Sequence, residues 1–346
     1  MRIDLRSLTL DELQNEMSTI GEAKYRATQI YRWLHARFAN TFDEMSDLSV
    51  QLRKKLTDNY SIGRVTQVKK LVSNVDKTTK YLFALNNDCI IESVFMQYSY
   101  GNTVCISTQA GCRMGCTFCA STLDGVEKNL TPAEMLSQIY EIEKDKGETV
   151  SGVVLMGSGE PLDNYENVVK FIKIINSKDG KNIGQRHITL STCGLIEKIY
   201  DLSEENLQIT LAVSLHAPND TIRNKLMPVS KANPMDKLLE ACNFYANKTK
   251  RRITFEYSLI KGVNDSAENA KELAGKLKTM LCHVNLIPVN EVKERNYTRS
   301  TAEAVKRFED ILTSRGIETT VRRKLGSDID AACGQLRKRY KDENNF

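Results

Sequence analysis

Apolar residues recur with two different periods along this chain, and the change from one to the other divides it. Between residues 1 and 60 the spacing is helical. A capping box, Thr9-x-x-Glu12, opens a first helix, and Ile30, Trp33, Leu34 and Phe38 fall on one face of a second helix over residues 23–38. That stripe predicts a core face, with Lys24, Arg26, Arg32 and Arg37 on the remaining faces. Residues 64–72, 78–85 and 89–96 then alternate with period two and carry β-branched side chains. Breaks at Asn74 to Lys77 and at Asn86-Asn87-Asp88 turn them into a small antiparallel meander.

From about residue 100 strands and helices take turns. Strands are expected at 103–107, 152–156, 187–191, 208–214, 252–259, 283–288 and 318–321. Helix starts are marked by Thr131-Pro132-x-Glu134, Asn233-Pro234-x-Asp236, Asp265-x-x-Glu268 and Ser300-x-x-Glu303, and the last helix closes at Gly316. Repeated βα units predict an α/β fold with a parallel sheet, and this many in series predict a barrel, open or closed. Reactive groups in such barrels sit at the C-terminal ends of the strands. The 346 residues thus divide into an accessory helical domain (1–60), a meander or linker (61–97), a barrel core (98–328) and a C-terminal segment (329–346).

Charge adds one feature. The net charge is only +5, but residues 321–341 hold seven Lys/Arg (Arg322, Arg323, Lys324, Arg337, Lys338, Arg339, Lys341) against Asp328 and Asp330. Residues 61–80 add Arg64, Lys69, Lys70, Lys77 and Lys80 against Asp76. Two basic segments on an otherwise balanced chain are either a footprint for a phosphate backbone or a solvated face. No apolar run approaches the ~18 residues of a membrane span, and no basic leader precedes an apolar stretch, so a cytoplasmic protein with no membrane partner is expected. Nine cysteines, an odd number, argue for metal or redox use over a disulfide framework.

Three of those cysteines, Cys112, Cys116 and Cys119, stand in Gly111-Cys112-Arg113-Met114-Gly115-Cys116-Thr117-Phe118-Cys119. Spacings of three and two residues suit a short loop wrapped around one soft metal centre. Three ligands leave a coordination position open, as in an iron–sulfur cluster whose last iron binds something other than protein. A structural zinc site would need a fourth Cys or His. The nearest other thiol is Cys105, seven residues upstream on an expected strand.

The Cys-x3-Cys-x2-Cys pattern, with an aromatic before its last cysteine, resembles the radical S-adenosylmethionine (SAM) superfamily. Four further stretches, Cys105-Ile-Ser-Thr-Gln-Ala-Gly-Cys112, Met156-Gly-Ser-Gly-Glu-Pro161, Ser214-Leu215-His216 and Asp328-Ile-Asp-Ala-Ala-Cys333-Gly-Gln-Leu336, resemble the RlmN/Cfr family of adenosine methyltransferases. This resemblance implies a partial (β/α)6 radical SAM barrel and a [4Fe–4S] cluster on Cys112, Cys116 and Cys119, with two SAM molecules used per turnover. It implies SAM contacts from Gly159, Glu160, Ser191, Ser214, Leu215, His216 and Asn290. It also implies that Cys333 carries a methyl group, that Cys105 resolves the covalent intermediate through a transient disulfide, and that Glu92 accepts a proton. The implied substrates are 23S rRNA and tRNA, and the implied electron donor is a flavodoxin or ferredoxin.

Within the family, Gly159-Glu160-Pro161 and Pro288-Val289-Asn290-Glu291 look more like the RlmN type, which methylates carbon 2 of adenosine, than the Cfr type, which methylates carbon 8. An RNA-binding iron–sulfur sensor without turnover would need the cluster but neither Cys333 nor Cys105. The remaining cysteines, Cys89, Cys193, Cys242 and Cys282, read as small buried hydrophobes.

Overall fold

The structure, a computed structural model, describes residues 2–86, 89–290, 296–323, 325–326, 328–329, 336–337 and 340. Cys333 lies outside the described residues. The chain opens with three helices, α1 (Leu10–Thr19), α2 (Lys24–His35) and α3 (Val50–Asn59), tied at their ends by the parallel pair β1 (Ile3–Asp4) and β2 (Tyr60–Ser61). The Thr9 capping box forms as expected. Ile30 and Leu34 are buried and Trp33 and Phe38 partly so, all packed into the same apolar core as the barrel. Arg6 joins the two: fully buried, it donates to Gly63 O at 2.8 Å and to Ser137 Oγ at 3.0 Å.

The meander follows as β3 (Thr66–Val72), β4 (Thr79–Ala84) and β5 (Ile90–Tyr98), antiparallel to one another and to β6 (Gly101–Cys105). A short antiparallel pair, β7 (Gln109–Gly111) and β8 (Val126–Asn129), comes next. Then the alternation is strict: α4 (Pro132–Lys146), β9 (Val150–Leu155), α5 (Tyr165–Ile175), β10 (Ile188–Thr192), α6 (Ile196–Glu204), β11 (Thr210–Ser214), α7 (Asp220–Leu226) with α8 (Met235–Thr249), β12 (Ile253–Leu259), α9 (Ala267–Leu277), β13 (Cys282–Pro288), α10 (Ala302–Thr313) and β14 (Glu318–Val321). All the pairings from β6 through β9 to β14 are parallel. The sheet order β14-β13-β12-β11-β10-β9-β6-β5-β4-β3 is that of an open barrel whose wall is extended by the meander.

Three helix starts differ from the sequence motifs, and side-chain competition explains each. Asn233 does not cap α8, because its Oδ1 accepts the Ile196 N–H at 3.1 Å. Asp265 is engaged by the Gly262 N–H at 2.9 Å and the Ser300 hydroxyl at 2.7 Å, so Ser266 caps α9 with Asn269 as its partner. The same hydroxyl is thereby withdrawn from α10, which Thr301 caps instead.

Candidate functional site

The loop carrying Cys112, Cys116 and Cys119 leaves the sheet through β7 and returns through β8. Gly111 turns it at φ +79°, and a Cβ there would lie 2.0 Å from Gly125 O, the oxygen that accepts the Cys112 N–H at 2.8 Å. No other residue fits that approach. Downstream, the Cys119 N–H donates to Cys116 O at 3.2 Å, and the Thr122 hydroxyl lies 3.0 Å from both Cys116 O and Cys119 O. Thr117 ties the loop to the barrel: its N–H donates to Leu226 O at 2.8 Å and its hydroxyl lies 2.8 Å from Tyr297 Oη. Among the described residues none of the three forms a disulfide.

Eight of the ten residues expected at the cluster and at SAM sit at strand ends or in this loop and, with Asn290 after β13, border one cavity of about 260 Å³. They are Cys112, Cys116, Cys119, Gly159, Glu160, Ser191, Ser214 and His216. Leu215 is the exception. Its side chain is in the core, and its N–H donates to Glu256 O at 3.0 Å. Gly157 and Gly159 bring backbone close beneath the cavity; added Cβ atoms would lie 2.6 Å from Ile106 O and from Gln109 Cβ, respectively.

The polar groups of the cavity are held firmly. Glu160 accepts the Cys193 N–H at 2.7 Å and the Leu162 N–H at 3.0 Å, while its own N–H donates to Gln109 Oε1 at 2.8 Å. Burial nonetheless raises its pKa. His216 adopts φ +55°, rare for a residue with a Cβ. The turn is fixed by Asn264, whose amide nitrogen donates to His216 O and Ser258 O, both at 2.7 Å. His216 Nδ1 accepts the Ser258 N–H at 2.9 Å, so a neutral ring carries its proton on Nε2. Burial lowers its pKa to about 3, and the ring stays neutral at physiological pH.

Burial also raises the pKa of the Cys112 thiol, to about 12, and that of Cys116. A metal that binds here must displace those protons, and the centre then supplies the positive charge the buried thiolates lack. Among the described residues no three His, Cys, Asp or Glu side chains converge as on a single metal ion. A cubane binds each cysteine through a different iron, so its thiolates need no common point. The donor set and the open cavity beside it fit a [4Fe–4S] cluster with SAM.

Cys105 and Glu92 stand on a neighbouring part of the wall. Cys105 pairs with Val94, so alternation puts Glu92, Val94, Met96 and Cys105 on one face of the sheet. Cys105 packs there with Val94, Met96, Met156 and Leu325. Met156, of the same cluster, also borders the cavity, whereas Cys105 does not. A glutamate in a meander is ordinarily exposed, but Glu92 is buried, paired with Lys80, and accepts the backbone N–H of Arg337.

Two readings change. Lys80 is fully buried, Lys70 pairs with Asp145, and Arg337 is buried with its guanidinium on Glu127 and Ile90 O, so these charges are committed internally. Arg64, Lys77, Arg322 and Arg323 are exposed and make no ion pair among the described residues. Cys193 is buried as expected, but it borders the cavity beside Glu160. Glu256 and Arg322 border it too and were not singled out by any motif. Glu256 is buried on β12 and accepts from Asn285 Nδ2 at 2.8 Å. It is the middle residue of β12, outside the strand-end positions to which the sequence pointed.

Known proteins fit this arrangement. The radical SAM superfamily model matches residues 106–274, and the ribosomal RNA large subunit methyltransferase N-terminal domain model matches residues 3–62. A probable dual-specificity RNA methyltransferase RlmN of Clostridium novyi is 54% identical over 97% of this chain and 98% of its own length. Its counterpart in Lachnoclostridium phytofermentans is 53% identical over 99% and 96%. The crystal structure of a radical SAM methyltransferase from Sphaerobacter thermophilus superposes with a TM-score of 0.91 at 42% identity, covering 96% of this chain and 98% of that one. The chain therefore belongs to the RlmN family of radical SAM RNA methyltransferases.

Proposed function

We propose that this enzyme methylates carbon 2 of a specific adenosine in 23S rRNA and of an anticodon-loop adenosine, position 37, in tRNAs, through a methylated Cys333. The observation that carries the reading is the single cavity shared by the cysteine trio and the strand-end residues Gly159, Glu160, Ser191, Ser214, His216 and Asn290. Cys112, Cys116 and Cys119 would hold the cluster. Glu160 and the backbone around Gly159 and Asn290 offer acceptors for the methionyl ammonium of SAM, and Ser191, Ser214 and His216 offer hydroxyl and imidazole groups for the rest of it.

Carbon 2 of adenine is electron-poor, so it cannot displace the methyl of a sulfonium as a nucleophile. Cys333 can: its thiolate takes the methyl of one SAM and releases S-adenosylhomocysteine. When bound, the cluster and a second SAM supply a carbon radical that removes one hydrogen atom from that methylthioether. The Cys333 methylene then adds to carbon 2, and the adduct would return one electron to the centre held by Cys112, Cys116 and Cys119 and give the carbon 2 proton to Glu92. Cys105 attacks the Cys333 sulfur, a disulfide forms, the C–S bond breaks, and the freed methylene takes up a proton as the new methyl. Glu92 and Cys105 share one sheet face, and Glu92 holds the N–H of Arg337, four residues after Cys333. An electron donor of the flavodoxin or ferredoxin type completes the cycle, and a thiol reductant reopens the disulfide. The site of action would be the cytoplasm, where both RNAs reside.

Mass spectrometry of adenosine from rRNA and tRNA treated with the reconstituted enzyme tests this. 2-Methyladenosine is expected in both; 8-methyladenosine, or no methylated product, overturns it.

A further inference from the structure

Arg223, on α7, is fully buried. Its guanidinium spans three backbone segments: Nη2 donates to Cys193 O at 2.7 Å and reaches Ser214 O at 3.5 Å, and Nη1 donates to Asn233 O at 3.1 Å. Nε is buried without a partner, and among the described residues the side chain makes no ion pair. Burial pulls its pKa down, yet guanidinium starts so high that it stays charged. An unpaired buried charge is costly, and carbonyl dipoles offset only part of that cost.

The missing counter-charge has an obvious place. Cys193 and Cys116 pack in one cluster with Leu226 and Met227, the residues that end α7. Leu226 O accepts the Thr117 N–H, so the helix that carries Arg223 is bonded to the cysteine loop between Cys116 and Cys119. The turn after β10 packs closely here: a Cβ on Gly194 would lie 2.8 Å from Leu238 Cδ2 and 3.3 Å from Arg223 Nη2. Thiolates of a bound cluster would neutralise Arg223, and Arg223 would in turn act on the cluster.

We propose that Arg223 is a positioning residue for the iron–sulfur centre, which joins the ends of β10 and β11 to the cysteine loop and raises the cluster's reduction potential through its fixed positive charge. Reduction adds one negative charge to the centre, and a nearby cation in a low-dielectric interior stabilises the reduced form more than the oxidised one. This rests on the cluster and is independent of which RNA is methylated.

The test is an electron paramagnetic resonance titration of anaerobically reconstituted holoenzyme with SAM, with iron content measured alongside. Arg223→Gln keeps amide donors and removes the charge. It should retain iron, but at a fixed potential its ratio of reduced to oxidised cluster should fall about tenfold, equivalent to about 59 mV for a one-electron couple. Arg223→Lys keeps the charge and should shift the ratio much less. Asp220 is the carboxylate with the largest effect on Arg223, and Asp220→Asn should move the ratio the opposite way. A wild-type potential in iron-replete Arg223→Gln, or equal shifts in the Gln and Lys variants, overturns the proposal. Should Arg223→Gln fail to load iron, Asp220→Asn decides: an unchanged ratio overturns the proposal. A wild-type protein without a cluster signal would instead remove the cluster reading itself.

Discussion

Lys80 Nζ lies 3.0 Å from Glu92 Oε2, with side-chain exposures of 0% and 4%. The pair joins adjacent strands of the meander on the face that also carries Cys105. Removing one member of a buried ion pair leaves the other charge uncompensated, which typically costs about 3–5 kcal/mol. Lys80→Met should lower unfolding free energy by that amount in denaturant titrations. A loss below about 1 kcal/mol, the range of exposed pairs, would mean that the pair is solvated in solution.

The same pair marks where sequence reading ran out. Lys80 looked like part of a basic surface, because charge spacing along a strand does not reveal which face is covered. Only the β4–β5 register sets Lys80 beside Glu92, and the residues that pack on this region, Arg337 on Glu92 and Leu336 on Leu82 and Ile90, come from the far end of the chain. Cys193 and Glu256 were missed for a related reason: their value comes from neighbours on other strands. By contrast, the barrel was legible because βα alternation is a local pattern, and the cysteine loop because its spacing is local too. Ser191, Ser214 and His216, which border the cavity, were legible once strand ends were located.

The cysteine trio gives the most direct prediction. Reconstituted protein should hold about four irons per chain and show broad visible absorption, and Cys112→Ala, Cys116→Ala or Cys119→Ala should each lose both. The thiols of Cys112 and Cys116 are buried, so their conversion to thiolates depends on the metal. Retention of iron by these variants, or zinc alone in the wild type, would remove the basis for radical chemistry.

RNA affinity should fall steeply with salt, through Arg64, Lys77, Arg322 and Arg323. Each of these side chains that neutralises a phosphate should, when replaced by Ala, reduce the slope of log affinity against log salt by roughly 0.7–0.9. Binding titrations at several salt concentrations read this directly. Unchanged slopes in all four variants would return these residues to plain solvated surface.

His35 is fully buried against Tyr140, its Nδ1 3.0 Å from the hydroxyl and its Nε2 without a partner. Burial, then the charge of Arg6, drives its pKa well below the usual value. The unfolded chain therefore binds a proton below about pH 6.5 that the folded chain refuses, so stability is full above that pH and falls as pH drops. One such group contributes up to about 1.4 kcal/mol per pH unit. His35→Gln should flatten the acid side of the stability profile by that slope; an identical profile would show that His35 takes up its proton in the folded state.

The two distant cysteines should stop the reaction at different points. Cys333→Ala has no thiol to methylate, so it should form neither product nor adduct, although its iron and SAM binding persist. Cys105→Ala can still take up the methyl, lose the hydrogen atom and add to the base, but it cannot break the bond between Cys333 and RNA. It should accumulate a covalent protein–RNA species that survives denaturation and is absent from the double variant. Cys105 is buried in a cluster with Met156, and Met156 borders the cavity. Enlarging the side chain, as in Met156→Phe, should therefore slow release of RNA more than formation of the adduct, and burst kinetics separate the two steps. Nuclease digestion and mass spectrometry of the trapped species should show an adenine joined through one carbon to Cys333, at carbon 2 of the ring. Attachment at any other residue, or full turnover by Cys105→Ala, would refute the roles given to this pair.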